Sequence, residues 1–282
     1  QRAAVAIEKA MGRRVTALAS LGGGCISQVF RATLDDGTEL VAKLGDGSAA
    51  LETEAYMLGY LKAHSRLPVP AVRHAGPGLL LMDYVESGDP IDAAAEEHAA
   101  DLFAALHAIH GERFGHEQDT LIGPLAQPNP WSERWLDFFR DFRLLHMARQ
   151  ALAAGRISPV LMTRIERFAA RLGEFLDESA RPALIHGDLW AGNILVRRGR
   201  IVGLVDPAIY YADPEIELAF ATLFGSLGEP FFRRYNALSP LKSGFFEARR
   251  HIYNLYPLLV HTRLFGGHYA GAVERTLARF GR

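Results

Sequence analysis

The stretch 184–196 reads Leu-Ile-His-Gly-Asp-Leu-Trp-Ala-Gly-Asn-Ile-Leu-Val, an H-x-D-x-x-x-x-N spacing flanked by apolar residues. Asp206 follows at the end of a second apolar run, 201–205. Phosphoryl transfer needs this combination: a carboxylate beside the acceptor hydroxyl, and oxygen ligands for a metal beside the triphosphate. Asp188 suits the first role, orienting the hydroxyl and accepting its proton. Asn193 and Asp206 suit the second, because Mg²⁺ prefers hard oxygen ligands and lets substrate phosphates complete its shell. His186 reads as a brace of the loop rather than a general base. An isolated aspartate in a loop is usually a turn or a cap; the spacing and the upstream residues together argue for chemistry.

Those upstream residues lie in the first third of the chain. Gly22, Gly23, Gly24 and Ser27 form a G-x-G-x-x-S turn between two β-rich runs, where missing Cβ atoms let backbone amides approach phosphate oxygens. It is not a Walker A loop, since no G-K-[ST] follows. Lys43 closes the apolar run Leu40-Val41-Ala42. A strand lysine that touches α- and β-phosphates needs a carboxylate to hold it, and Glu54 on the next helix is preferred over Glu52 because it heads that helix's apolar stripe. The segment 79–85, which contains Met82, Asp83, Tyr84 and Val85, is an apolar strand running into polar residues. It reads either as a hinge against an adenine ring or as a buried strand that ends there.

The elements that must carry these residues change character near residue 86. Before it come β-rich runs at 15–19, 28–33, 39–43 and 79–84, a hairpin signal at Asp35-Asp36-Gly37, and one helix over 49–63. After it the spacing predicts helices over 94–109, 131–154, 159–176, 216–227 and 245–265. Short apolar runs at 183–186, 194–196 and 201–205 interrupt them. The fold class expected is α+β: a small antiparallel-sheet N-lobe (1–85, nucleotide-binding) and a larger, mainly helical C-lobe (86–282, catalytic and substrate-binding) that share one cleft.

Composition agrees with a globular chain of 282 residues, 49% hydrophobic and 22% charged. Lys and Arg total 31 against 32 Asp and Glu, a net of -1, which argues against a globally cationic nucleic-acid binder. No apolar run approaches the roughly eighteen residues that span a bilayer, so the expectation is a cytoplasmic protein without a membrane partner. The single cysteine, Cys25, forbids an intramolecular disulfide and suits a reducing compartment. Eleven histidines show no zinc-ligand spacing.

The chain resembles the fructosamine/ketosamine 3-kinase family, relatives of the aminoglycoside phosphotransferases within the protein-kinase-like fold. The resemblance rests on GGGCIS at 22–27, FG at 114–115, W-x-x-x-W-x-x-F-F at 131–139, HGDLWAGN at 186–193, DPAIYYADPEIELAF at 206–220 and YNLYPLLVHTRLFG at 253–266. Trp190 and Asp206-Pro207-Ala208 distinguish it from antibiotic, choline and protein kinases. The resemblance implies ATP- and Mg²⁺-dependent phosphorylation of the sugar 3-hydroxyl of a ketosamine, free or on glycated proteins, followed by loss of the unstable phosphate and deglycation. It also implies Asp188 as proton acceptor, Asn193 and Asp206 as Mg²⁺ ligands, 83–85 against adenine, and Lys43 with Glu54 at the phosphates.

A ketosamine is a polyol with a cationic amine. Trp190 is the candidate wall for its sugar face, or else a core anchor. Asp213 and Glu217 could sense the amine or, like Glu215, offset a helix dipole. His261, Trp131 and Trp135 are weaker candidates for substrate contact. Cys25 is either a small apolar residue or, as the family suggests, a redox switch that links two chains. Two other readings remain: an aminoglycoside- or choline-type phosphotransferase, and a silent nucleotide-binding relative.

Overall fold

The structure is a computed structural model and describes residues 2–22, 28–178 and 181–281. It begins with a helix that periodicity did not reveal, α1 (Arg2–Met11), followed by β1 (Val15–Ser20), β2 (Gln28–Leu34) and β3 (Glu39–Leu44). The β2–β3 turn is the expected one, with Gly37 at φ +84° and the Asp36 carboxylate accepting from the Thr38 amide at 3.0 Å. Helix α2 (Ala50–His64) leads to β4 (Val72–Gly76) and β5 (Leu79–Asp83), and the sheet is antiparallel in the order β1-β2-β3-β5-β4. β4 is a further element absent from the expectation, a short edge strand beyond Pro68 and Pro70.

Alternation along the strands decides what each face meets. Leu40, Ala42, Leu79 and Leu81 join Ile7 of α1 in a small core on one face. Leu80 and Met82 point the other way, into the core shared with Leu51, Leu58 and Leu61 of α2. Lys43 pairs with Leu80 and Val41 with Met82 across β3–β5, so Lys43 projects from the α2 face of the sheet. That larger core continues without a break into the helical lobe through Phe103, Phe138 and Tyr253.

The C-terminal lobe opens with α3 (Ala93–His107), capped by Asp92, whose carboxylate accepts from the Ala95 amide at 2.8 Å. A two-strand hairpin, β6 (Thr120–Ile122) and β7 (Leu125–Gln127), precedes α4 (Trp135–Phe139), which passes through a π-turn at Arg140–Leu144 into α5 (Leu145–Ala153). Helix α6 (Pro159–Ala169) follows; Ser158 caps it, and it stops short of the predicted Leu176 because a 3₁₀ turn at Leu172–Glu174 takes over. Four short strands come next: β8 (Ala183–Ile185), β9 (Ile194–Arg197), β10 (Arg200–Leu204) and β11 (Tyr210–Ala212). Helices α7 (Glu215–Ala221), α8 (Glu229–Leu238), α9 (Arg250–Tyr253), α10 (Leu255–Phe265) and α11 (His268–Arg279) complete the chain. α7 ends before the predicted Leu227 because Phe224 takes φ +57°, which no helix accommodates. α8 lies along α3, and α10 packs against α5 and α11. Among the described residues no helix is long and apolar enough to cross a membrane.

Candidate active site

Two small antiparallel ladders hold the chemistry-bearing loops by their ends. Ile185 of β8 pairs with Tyr210 of β11, and Ile194 of β9 with Leu204 of β10. The loop 186–193 therefore leaves one ladder and enters the other, while the Asp206 segment makes the return trip. Asn193 just before β9 and Asp206 just after β10 emerge at the same end of their hairpin, and the Val205 amide donates to the Asn193 carbonyl at 3.1 Å.

Within the loop, Gly187 adopts φ +88° against the Ala208 carbonyl, where a Cβ would lie 1.9 Å from the oxygen. No other residue fits that crossing. The Asn193 amide donates from Nδ2 to both the backbone carbonyl and Oδ2 of Asp188, each at 2.9 Å. Oδ1 is then the face of Asn193 left for another ligand. Burial raises Asp188 to about 7, with the Asn193 hydrogen bond opposing and the charges of Asp206 and Glu217 adding to the rise. The buried His186 ring accepts from the Asp188 amide at 3.3 Å, and burial lowers its pKa, which suits a neutral brace.

From the other lobe, the Lys43 ammonium donates to Glu54 Oε1 at 2.7 Å and also meets Asp206 Oδ1. Burial disfavours the charge on Lys43, but the two carboxylates outweigh it and raise its pKa. Glu52, the rival partner, is exposed. Asp206 itself sits at φ +51°, a strained backbone for an aspartate, with a half-exposed carboxylate. Asn193 and Asp206, at the same end of the β9–β10 hairpin, thus offer two hard oxygen donors, a partial set that fits an ion whose remaining ligands are phosphate and water.

The residues expected at a hinge follow. Met82 is buried; Asp83 holds Arg73 through two hydrogen bonds at 2.5 and 2.9 Å; the Tyr84 ring lies 3.9 Å under the Arg31 guanidinium. The Asp83 amide donates to Ala71 and the Tyr84 amide to Glu39. Of the glycine-rich turn, Gly22 is described at φ +37°; Gly23, Gly24, Cys25 and Ser27 lie outside the described residues.

Asp188, Trp190 and His261 line one cavity of about 410 Å³. Its walls are mostly apolar and aromatic, with Tyr210, Phe220, Phe224, Tyr256 and Tyr269 among them. Trp190 is 39% exposed and its ring lies over Gly192, where a Cβ would come within 2.3 Å of it. His261 Nδ1 donates to the Pro257 carbonyl at 2.7 Å, so Nε2 carries the free lone pair. The aromatic walls escaped sequence reading because rings at helical spacing look like core; Phe224 and Phe265, each 50% exposed, are wall residues that core packing does not explain.

The two acidic candidates for amine contact are placed otherwise. Asp213 lies off this cavity: just ahead of α7 it accepts from the Glu215 amide at 2.9 Å, and it accepts from the Tyr253 hydroxyl at 2.8 Å. Glu217 reaches the cavity wall, but its carboxylate is occupied. It accepts from the amides of His186 at 3.1 Å and Gly187 at 2.7 Å and from His107 Nε2 at 2.9 Å. Its place is under the loop 186–193. Glu215, expected at a helix start, ion-pairs with Arg249 at 2.6 Å. Trp135 is core, and Trp131 lies apart from the cavity under Arg113.

A lysine–glutamate pair from a sheet lobe, facing an Asp–Asn loop and a second aspartate from a helical lobe, defines a protein-kinase-like phosphotransferase. The same fold is seen at 17% identity and a TM-score of 0.65 in an aminoglycoside phosphotransferase. The chain belongs to the fructosamine kinase family, whose model matches residues 1–281. It is 34% identical over 275 residues to a probable ketoamine kinase of Synechocystis sp., covering 94% of this chain and 90% of that one. It is 31% identical over 270 residues to the chloroplastic protein-ribulosamine 3-kinase of Arabidopsis thaliana, covering 91% and 80%. A crystal structure from Thermobifida fusca named as a fructosamine-3-kinase superposes with a TM-score of 0.88 at 32% identity, covering 98% of this chain and 96% of that one.

Proposed function

We propose that this protein transfers the γ-phosphoryl group of ATP to the sugar 3-hydroxyl of a ketosamine, a fructosamine or ribulosamine on lysine, and so starts its deglycation. The observation that carries the reading is Lys43 meeting both Glu54 and Asp206, whose charge acts in turn on Asp188 in the wall of the cavity. In the reaction, the acceptor oxygen forms a bond to the γ-phosphorus as the bond to the β–γ bridging oxygen breaks, and ADP leaves. Asp188 takes the hydroxyl proton, and the Asn193 amide holds its carboxylate in place. Lys43, steadied by Glu54, carries positive charge to the phosphates. Asn193 and Asp206 would hold Mg²⁺, which when bound neutralises charge on the phosphate oxygens. The amides of Asp83 and Tyr84 are already bonded within the sheet, so the adenine edge falls to the Val85 amide. The lobe boundary near residue 85 then coincides with the nucleotide site.

The cavity also favours a ketosamine over an aminoglycoside. Its acidic residues are Asp188 and Glu217, and Glu217 is occupied beneath the loop, so a polycation would meet rings where it needs carboxylates. Trp190 is assigned to the sugar face, and His261 with Phe224 and Tyr256 to the rest of the acceptor. A kinase fed by ATP belongs in the cytoplasm in this reading. The test is ADP release with fructoselysine, ribuloselysine and an aminoglycoside panel. Turnover with the ketosamines alone is expected, and Asp188→Asn should lower it about 10²–10⁴-fold. Turnover with the aminoglycosides alone, or an Asp188→Asn protein at wild-type rate, overturns the proposal.

A further inference from the structure

The backbone after Asp206 is held from behind by a buried polar network that lies outside the kinase residues already described. The β6–β7 hairpin brings Thr120 and Gln127 opposite each other, both 1% exposed. Gln127 Nε2 donates to the Ala208 carbonyl at 3.0 Å and to Thr120 Oγ1 at 2.9 Å. The Thr120 hydroxyl donates to the Ile209 carbonyl at 3.1 Å. Asn129 Nδ2 donates to the same hydroxyl oxygen at 2.8 Å, and the buried Arg143 guanidinium donates to Asn129 Oδ1 at 2.5 Å while lying 3.8 Å over the Tyr210 ring. On its other side Gln127 Oε1 accepts from the hydroxyl of Tyr256, a wall of the acceptor cavity, at 2.8 Å.

Thr120 Oγ1 accepts twice and donates once, and Gln127 uses its amide nitrogen twice and its oxygen once, so these two members are fully bonded and hold one geometry rigidly. Here they hold two consecutive carbonyls that lie one residue, Pro207, beyond Asp206, whose own backbone sits at φ +51°. Strain of that kind persists only where the surroundings over-determine it. We infer that Gln127 and Thr120 are positioning residues: they fix residues 208 and 209 so that the Asp206 carboxylate is presented to the metal–nucleotide complex. This rests on the reading of Asp206 as a metal ligand.

The experiment is titration calorimetry of a non-hydrolysable ATP analogue, with Mg²⁺ and again with EDTA. The proteins are the wild type, Thr120→Val, Thr120→Ser and Gln127→Met, each with its melting curve. Thr120→Val removes the hydroxyl but keeps the volume, and Thr120→Ser keeps the hydroxyl. The wild type should bind tighter with Mg²⁺. Thr120→Val and Gln127→Met should lose about tenfold of the Mg²⁺-dependent affinity, the scale of one or two hydrogen bonds, with EDTA affinity within about twofold of wild type. Thr120→Ser should recover most of the loss. If Gln127→Met does not fold, the threonine pair decides alone. Equal losses with and without Mg²⁺, or none in Thr120→Val, overturn the inference. A wild type whose nucleotide affinity ignores Mg²⁺ removes the metal role of Asp206, and this inference with it, while leaving ketosamine turnover to be judged separately.

Discussion

Changing Glu217 to glutamine tests whether the loop 186–193, proposed as catalytic, is held from below. Three donors converge on the carboxylate: the Gly187 amide on Oε1, and the His186 amide with His107 Nε2 on Oε2. A carboxylate has two acceptor oxygens and an amide has one. If the amide oxygen takes the Oε2 position, the Gly187 amide faces an NH₂; if it takes the Oε1 position, His186 and His107 do. Either way at least one buried backbone donor is left unsatisfied, at about 1–3 kcal/mol, and the surviving bonds lose their charge assistance. Removing a buried charge gives some of this back. The expected net loss is about 2 kcal/mol, or roughly 4 °C in melting temperature for a chain of this size. Because Gly187 directly precedes Asp188, turnover should fall further than stability accounts for, by about tenfold in kcat, with KM for ATP nearly unchanged. Differential scanning fluorimetry and coupled ADP assays on the same preparations provide both numbers. A Glu217→Gln protein with wild-type melting and wild-type kcat would refute the account of the loop.

Three more outcomes follow from particular geometries. Gly187→Ala should be among the most damaging single changes, since the added Cβ would meet the Ala208 carbonyl at 1.9 Å and φ is +88°; a soluble variant with wild-type melting would contradict it. Glu54→Gln should raise KM for ATP about tenfold or more with little change in melting, because Lys43 then keeps Asp206 as its only carboxylate; steady-state kinetics check this. Asp213 is raised to about 6 by burial and the nearby Glu215 charge, against about 3.9 in an unfolded chain. The folded state binds more protons at this site, so its contribution is fully present below about pH 4 and is lost as pH rises through about 6. The stability of Asp213→Asn relative to wild type should therefore improve between pH 4 and 6, measured by urea denaturation; a flat difference would contradict the shift.

The residues proposed to do chemistry were singled out from short-range spacing in the chain alone. Asp188, Asn193 and Asp206 lie on loops between brief apolar runs, and a loop of fixed length closed by antiparallel strands has few ways to place them. Lys43 and Glu54 were legible for a similar reason: strand alternation and one helix phase orient both. The same phase left Glu52 exposed. Elements that carry no chemistry were harder to see. α1 and β4 acquire their places only from the sheet faces and edges they cover, and α8 and α11 from the helices they pack against.

The types and order of the residues proposed to handle phosphate and activate the hydroxyl are thus properties of the sequence by itself, because each was singled out by neighbours a few residues away. What the tertiary structure alone decided is the orientation of groups whose partners come from distant segments. Asp213 and Glu217 stand four residues apart on one helix start, yet one meets Tyr253 and the other the amides of the catalytic loop. Thr120 and Gln127 look like ordinary polar residues of a hairpin until the chain from residue 208 is laid against them. Most buried polar atoms are held by a partner, and packing between remote segments, which no local spacing encodes, determines which one.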